Sequence, residues 1–205
     1  MPKLNNTTVS KKAEATRLAI LQQAFSLIYK NGYRTTSIDD IIATTQVTKG
    51  AFFYHFSNKD EMALAMIKEV MLPGMEKAMT EPLINAANPV EEIYVMMRGL
   101  LTGNTFFIVK YGCPAINLIE EMSSQNEAFN EALSTLTDKW RDALVNCIEN
   151  GRAAGKIKPE ASAKAIATHI MAGYAGIRNL GKLYGSSAYN DFLDSFRQYL
   201  QSLKP

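Results

Sequence analysis

Residues 48–61 read TKGAFFYHFSNKDE and place lysine, threonine, tyrosine and histidine side chains among three phenylalanines. The polar groups of such a segment can hydrogen-bond to phosphate oxygens, while the phenylalanines can bury its other face. The sequence has no H-E-x-x-H, G-x-S-x-G, P-loop or Rossmann glycine pattern, and it has only two histidines. The segment therefore favours non-covalent recognition of DNA, and we do not expect an enzyme.

A short helix is expected to precede this segment. Residues 35–47, TTSIDDIIATTQV, place three isoleucines on one helical face. Capping-box spacing occurs twice, for Thr36 with Asp39 and for Ser37 with Asp40. A helix start is therefore predicted at one of these two positions.

A second helix is expected from Thr48, after a break in the pattern at residues 44–47. Thr48 is placed as its N-cap, and Phe52, Phe53 and Phe56 are predicted to face the core. Two helices of this size joined by a tight turn fit a major groove. Together the two segments predict a helix-turn-helix.

Residues 14–64 resemble the DNA-binding head of the TetR/AcrR family of bacterial repressors. The family pattern is Ser/Thr, any residue, Gly, two residues, Tyr, any residue, His, Phe and, three residues on, Lys. The residues that match this pattern and its upstream part are Thr48, Gly50, His55, Phe56 and Lys59, with Ala24, Phe25, Gly32, Tyr33, Thr35, Thr36, Ile38 and Ile41. Phe53 stands where Tyr is usual, so we expect Tyr54 to take over the phosphate contact of the missing hydroxyl. Gln46 stands where Gly is common in the turn, and a left-handed backbone there would carry a small strain.

The residues that the pattern and the resemblance identify as DNA-binding are Thr36, Ser37, Thr48, Lys49, Gly50, Ala51, Tyr54, His55 and Lys59. Thr36 and Lys59 are expected at helix N-termini, where free backbone N–H groups face phosphates. For Lys49 and Tyr54 the alternative is an ordinary exposed position. For His55 the alternative is a packed ring that only grazes a phosphate.

The net charge of +2 is divided unevenly along the 205 residues. Residues 1–60 hold eight Lys/Arg and four Asp/Glu, whereas the remainder holds fourteen and sixteen. A basic head on an acidic body suits a protein that offers only its head to DNA, although so small an excess also arises by chance. The sequence has no 18-residue apolar run and no signal-peptide core, so we expect a cytoplasmic bacterial protein with no membrane partner.

Helical periodicity along nearly the whole chain predicts an all-α protein, with a three-helix head joined to a larger helical body. We expect a mobile segment over residues 1–9, a helix-turn-helix DNA-binding domain over 10–56, and a ligand-binding and dimerisation domain over 57–205. Helices are predicted over residues 11–31, from Ser57 to about 79, from Asn88–Pro89, from Pro114, over 126–154, from Lys158–Pro159 to about 184, and over 187–203.

The body is rich in methionine and aromatic residues, which favour either an adaptable apolar pocket or an irregular helical core. The residues predicted to line such a pocket are Met96, Met97, Phe107, Tyr111, Cys113, Asn117, Trp140, Tyr174 and Arg178. Glu121 and His169 are further candidates for its polar groups. Residues 112–118, GCPAINL, also resemble a subset of the family. Cys113 precedes the helix start at Pro114, where a thiolate is stabilised; a buried apolar cysteine is the alternative.

Residues 171–184, MAGYAGIRNLGKLY, place small side chains on one helical face. Glycine inside a soluble helix costs about 1 kcal/mol relative to alanine, and close approach of another helix would offset this. By resemblance to the family, the last two long helices pair with their copies in a four-helix dimer interface. Tight packing within one subunit is the alternative.

The resemblance implies a ligand-responsive repressor, which binds a palindromic operator in double-stranded DNA as a homodimer and is released by a small-molecule inducer. A DNA-binding adaptor whose body binds a protein partner is the alternative. No cofactor or metal is expected, because the two cysteines, 34 positions apart, form neither a metal-ligand pattern nor a disulfide framework.

Overall fold

All regular structure in the described part of the chain is helical. The computed structural model describes residues 6–103 and 107–205, with side chains from residue 11 onward. The prediction of an all-α protein is confirmed. The α-helices are α1 (Asn6–Asn31), α2 (Ile38–Thr44), α3 (Lys49–His55), α4 (Lys59–Met66), α5 (Leu72–Met75), α6 (Pro89–Arg98), α7 (Pro114–Met122), α8 (Glu127–Ala153), α9 (Ala163–Tyr184) and α10 (Ser187–Gln201). Among the described residues, no helix is long and apolar enough to cross a bilayer.

The chain divides into two compact units. The first contains the chain through Pro73 together with Leu118–Leu133, and the second contains Gly74–Asn117 and Ser134–Pro205. Helix α4 belongs to the first unit, where it packs against α1. The first unit also includes the end of α7 and the start of α8, and no local sequence pattern predicted this.

Helix α1 begins at Asn6, so residues 6–9 of the segment predicted to be mobile are helical; residues 1–5 lie outside the described residues. It ends at Asn31, as predicted. Gly32 follows with φ +92°, a left-handed conformation that glycine adopts without a steric penalty. A Cβ at Gly32 would also lie 2.9 Å from Glu121 Oε1. Glycine is therefore required here by both the backbone and its neighbour.

Helices α2 and α3 start at the caps that the sequence indicates. The structure selects Ser37 with Asp40 as the capping box of α2: Ser37 Oγ accepts from the Asp40 N–H (3.1 Å), and Asp40 Oδ2 accepts from the Ser37 N–H (2.8 Å). Thr48 caps α3 by accepting from the Ala51 N–H (3.2 Å). The first of these short helices is held in the core by Ile41, which is fully buried.

The start of α4 differs from the prediction. The N-cap is Asn58, whose side chain accepts from the Glu61 N–H (2.8 Å), and not Ser57 with Asp60. Ser57 instead donates its N–H to Glu61 Oε2 (2.8 Å). The helical path then continues to Thr80, close to the predicted end, through π-helical turns at Ile67–Met71 and Glu76–Thr80 that flank α5.

The Asp60 carboxylate does not take part in a capping box, because it accepts hydrogen bonds from two other residues of the first unit. The Tyr33 hydroxyl donates to Asp60 Oδ1, and Asn126 Nδ2 donates to Asp60 Oδ2 (3.2 Å). Burial and this hydrogen bond raise the pKa of Tyr33, so its proton stays in place. The Tyr33 ring also packs edge-on against Phe129 at 5.1 Å. One tyrosine thus ties the end of α1 to α4 and α8.

Most helices of the second unit begin as predicted. Asn88 caps α6 before Pro89, and α7 begins at Pro114. Helix α9 is an exception, because it begins at Ala163 with Ser162 as its cap, and not at Lys158–Pro159. The N–H of Lys158 donates to the Leu203 oxygen (2.9 Å), so this segment fastens the end of the chain.

Replacement of Lys59 is expected to destabilise the first unit. Its Nζ donates to the backbone oxygens of Tyr33 (3.0 Å) and Thr36 (3.1 Å) and lies 4.2 Å from the centre of the Tyr33 ring. Lys59→Met should lower the free energy of unfolding by about 1–2 kcal/mol in urea titrations, since these carbonyls lose a charged donor. The exposed Lys30 on α1 provides the control, Lys30→Met. Equal stability of the two variants would contradict the structural role of Lys59.

Candidate functional site

Helix α3 presents two different faces. Phe52 is 0% exposed and Phe56, its C-terminal cap, is 1% exposed, so both belong to the core as predicted. On the opposite face Tyr54 is 79% exposed. The prediction that Phe53 is also core is wrong, because it is 46% exposed and its ring only leans edge-on against Phe52 at 5.4 Å. An aromatic pair therefore faces solvent on α3.

Lys49 is the cation at the start of this exposed face. Its Nζ lies 3.0 Å from Asp39 Oδ1, and the two side chains are 64% and 74% exposed. An ion pair so open to water stabilises the fold only weakly. The ammonium can therefore exchange this carboxylate for a phosphate at little cost.

Thr48, Ser37 and Ala51 take part in the helix starts. The hydroxyls of Thr48 and Ser37 act as caps, and the Ala51 N–H is the group that Thr48 accepts from. Gly50 is exposed, and a Cβ there would meet only Thr48 Oγ1 at 3.9 Å, an ordinary contact. Packing within the protein does not require glycine at position 50, so the free space lies on the solvent side.

Two predicted DNA-binding residues point inward. Thr36 is 1% exposed, and its hydroxyl donates to the Gly32 oxygen (2.7 Å). Lys59 donates to the backbone of the turn that follows α1. Both side chains hold the turn in place, Thr36 from a buried position and Lys59 from a half-buried one.

His55 closes α3 beside a cation. Arg17 Nη1 donates to the His55 oxygen (3.3 Å), and the same guanidinium lies 4.5 Å from the Phe56 ring centre and 2.6 Å from Glu69 Oε1. Partial burial lowers the pKa of His55, and the Arg17 charge lowers it further. Both effects favour the neutral form of the ring in the free protein. Arg17 was not identified from the sequence.

In the second unit, several predicted pocket residues gather around Arg178. Arg178 is 0% exposed, its Nη2 donates to the Gly112 oxygen, and its Cζ lies 5.4 Å from the Phe107 ring centre. Cys113 follows Gly112 in the chain and is 3% exposed. It lies directly before the start of α7 at Pro114, as predicted. Tyr189 completes the cluster, with its ring centre 5.7 Å from Arg178 Cζ.

Asn117 links two further elements of this region. Its Nδ2 donates to the Tyr111 oxygen (2.9 Å), and its Oδ1 accepts from Lys182 Nζ (2.7 Å). Trp140 and Tyr174 form an edge-to-face pair at 5.4 Å, and Tyr174 lies one turn before Arg178 on α9.

The two methionines lie elsewhere in the second unit. Met97 is fully buried in the core. Met96 lines an apolar groove of about 350 Å³ together with Ala78, Pro82, Val95, Gly99, Leu100 and Gly103. A more polar cleft of about 450 Å³ is lined by residues that include Lys139, Asp142 and Cys147. Burial raises the pKa of the Cys147 thiol to about 11, as suits a core cysteine.

Tyr189 and Lys182, which lie near Arg178 and Gly112, were not identified from the sequence. Lys182 could have been found, since it follows Arg178 by four residues on one helical face. Tyr189 could not, because it reaches this region only through the packing of its ring against Gly181, where a Cβ would lie 2.5 Å from Tyr189 Cε1. Glu121, considered for the pocket, instead accepts from two backbone N–H groups in the first unit.

Two family models match the chain. One, described as "Bacterial regulatory proteins, tetR family", matches residues 20–66, and the other, "Tetracyclin repressor-like, C-terminal domain", matches residues 89–198. The second match alone spans more than half of the chain.

Proteins with similar sequences or structures are named as transcriptional regulators. An HTH-type transcriptional regulator of Lactococcus lactis, itself uncharacterized, is 33% identical over 121 residues, which cover 59% of this chain and 62% of that protein. The HTH-type transcriptional repressor DhaR of Mycobacterium sp. (strain GP1) is 21% identical over 164 residues, covering 78% and 79%. The crystal structure of a TetR transcriptional regulator from Chloroflexus aurantiacus is similar with a TM-score of 0.83 and 26% identity, covering 93% of this chain and 96% of that one.

Phe53→Tyr is expected to tighten binding to duplex DNA. The position is half exposed, and tyrosine is usual there in the pattern that residues 48–59 resemble, so the new hydroxyl should gain a phosphate contact worth about 2- to 10-fold in affinity. Tyr54→Phe is the matched change, which removes the neighbouring hydroxyl and should weaken binding by a similar factor. Fluorescence anisotropy with labelled duplex measures both. Unchanged affinity in both variants would exclude a hydroxyl contact from this part of α3.

Proposed function

The chain belongs to the TetR family of bacterial regulatory proteins, and on this basis we propose that it is a ligand-responsive repressor, which binds a palindromic operator as a homodimer and is released by a small molecule. TetR-family proteins are transcriptional regulators that bind DNA, respond to ligands and usually form dimers. No enzymatic family is indicated.

The observation that carries the proposal is the outer face of α3. Lys49, Gly50, Phe53 and Tyr54 are exposed together on a helix whose other face is anchored by Phe52. A short helix with a rigid inner face and a basic, aromatic outer face suits insertion into a major groove. We infer that α3 is the recognition helix and that Ser37 and Thr48 lie at the flanking phosphates.

The proposed dimer face lies on α9. Its solvent side carries Ala172, Gly176, Leu180 (45% exposed) and Leu183 (75% exposed), at successive spacings of four, four and three residues. Exposed apolar side chains in such a row favour helix–helix association between subunits. Gly173 is excluded from this face, because a Cβ there would lie 3.3 Å from the Phe192 ring of the same chain.

Release by a ligand requires that the ligand bind the DNA-incompetent state more tightly than the DNA-binding state. The buried polar cluster around Arg178 supports a small molecule as the effector, because its donors face inward, where a protein partner could not reach them. We propose that the predicted residues Phe107, Cys113, Tyr174 and Arg178 belong to this effector site.

Lys49→Ala tests DNA recognition by α3. Loss of one phosphate contact should weaken binding to duplexes of any sequence and reduce the slope of log Kobs against log salt concentration by about one. Lys68→Ala removes an exposed lysine beyond α4 in the same unit and should leave the slope unchanged. Indistinguishable slopes for the two variants would remove Lys49 from the interface.

Leu183→Glu tests the proposed dimer face. A buried carboxylate in an apolar interface is strongly unfavourable, so the variant should sediment as a monomer at micromolar concentrations and lose most operator affinity. Ile84→Glu, at another exposed apolar residue of the same unit (60% exposed), should remain dimeric. A dimeric Leu183→Glu protein would place the interface elsewhere.

A further inference from the structure

Arg178 carries a guanidinium group that the fold buries completely. Its side chain on α9 is 0% exposed, and Nη2 donates to the backbone oxygen of Gly112. Among the residues that the structure describes, Nε and Nη1 find no hydrogen-bond acceptor. Buried polar groups nearly always have partners, and an arginine cannot relieve the problem by losing its proton. The unpaired N–H groups of Arg178 therefore indicate a site where a ligand would supply the hydrogen-bond acceptor.

No carboxylate in the described ranges 6–103 and 107–205 pairs with this cation. The ion pairs of these residues all lie elsewhere. The charged residue one turn further along α9 is Lys182, a second cation, whose Cε fills the space that a Cβ at Gly112 would need. Both cations thus approach the chain at Gly112. A buried charge without an opposite charge carries a large free-energy penalty, which an anionic ligand would remove.

The surroundings of Arg178 are aromatic. The ring centres of Phe107 and Tyr189 lie 5.4 and 5.7 Å from its Cζ. The Tyr189 hydroxyl is buried and also has no partner among the described residues. Burial raises the pKa of Tyr189, whereas the Arg178 charge opposes this shift and the Cys113 thiol adds to it, so the three groups lie within electrostatic reach of one another. The cluster therefore offers N–H and O–H donors between apolar faces.

We propose that Arg178 binds the carboxylate of an amphipathic organic acid, and that such acids are the effector class of this protein; the inference rests on the proposed repressor function. A planar carboxylate matches the donor geometry of a guanidinium, and one charge balances one cation. Lys182 Nζ already donates to Asn117 Oδ1 (2.7 Å), so Arg178 is the buried cation whose charge a monoanion would balance. The apolar part of the acid packs against the rings of Phe107 and Tyr189.

A purely structural Arg178 makes a different prediction. It would hold the Gly112 oxygen and stack between two rings, and it would not distinguish a charged ligand from a neutral one of the same shape. Its replacement would then change stability without changing ligand selectivity. Comparison of an acid with its amide separates the two roles, because the pair differs in charge and hardly in size.

Isothermal titration calorimetry with benzoate and benzamide, and with hexanoate and hexanamide as an aliphatic pair, tests the proposal on the full-length protein. We expect the wild type to bind the acid of at least one pair about tenfold or more tightly than its amide. Arg178→Met should abolish this preference. The control Arg197→Met removes an exposed arginine of α10, paired with Glu91, and should retain it. A wild type without acid preference in either pair, or an Arg178→Met protein that keeps the preference, overturns the proposal.

Two milder variants decide the question if Arg178→Met does not fold. Arg178→Lys keeps a cation but loses the planar fork, and Tyr189→Phe removes only the hydroxyl. Arg178→Lys should weaken acid binding several-fold and leave amide binding nearly unchanged, and Tyr189→Phe should weaken acid binding because the carboxylate loses a donor. Equal weakening of acid and amide by Arg178→Lys, or unchanged acid binding by Tyr189→Phe, would overturn the proposal.

Binding to duplex DNA from upstream of the gene is measured on the same preparations. DNA binding without acid preference refutes only the carboxylate site. Acid binding through Arg178 without any DNA binding refutes the repressor function and leaves the carboxylate site standing.

Discussion

The carboxylate of Glu121 accepts hydrogen bonds from two consecutive backbone N–H groups, those of Tyr33 (3.2 Å) and Arg34 (3.0 Å), where α1 has ended and α2 has not begun. Arg34 reciprocates by donating Nη2 to the Glu121 backbone oxygen (3.3 Å). Backbone donors in a turn between helices have no partner of their own, and a charged acceptor satisfies them strongly. The direction in which α2 and α3 leave α1 depends on this one carboxylate and on Gly32, whose missing Cβ makes room for it.

The core beneath α2 and α3 stabilises these helices independently of the exposed face of α3. Phe52, Phe56 and Ile41 fix the inner faces, so the outer face of α3 can carry polar and aromatic groups without affecting the fold. Residues that fasten the turn itself are a different set. Thr36 and Lys59 hold the backbone between helices through hydrogen bonds to Gly32, Tyr33 and Thr36 oxygens, so residues of the motif also have a structural role.

Periodicity and caps predicted nearly every helix, because an apolar stripe and a capping side chain are local properties. The N-cap of α4 and the surroundings of Arg178 depend on contacts with residues that are distant in sequence, which local patterns do not show. Ser57–Asp60 and Asn58–Glu61 have equally good capping spacing, and the choice is made by Tyr33 and Asn126, which occupy the Asp60 carboxylate. The error at Phe53 is instead local: this residue has the hydrophobicity of a core residue, but adjacent helical positions face different directions, and Phe52 is the one that faces the core. The setting of Arg178 depends on Gly112 and Tyr189, far from it along the chain.

The first unit is discontinuous in sequence, since Leu118–Leu133 rejoin it after an excursion of the chain through the second unit. A fragment that ended at Pro73 would keep the entire helix-turn-helix but lose the partners of the Tyr33 ring, of the Asp60 carboxylate and of the turn after α1. Helices α2 and α3 therefore do not form an independent domain. Chimeras that graft this head onto another body must carry a matching glutamate, asparagine and phenylalanine on the receiving helices, and exchanges that follow the motif boundary alone will produce poorly folded hybrids.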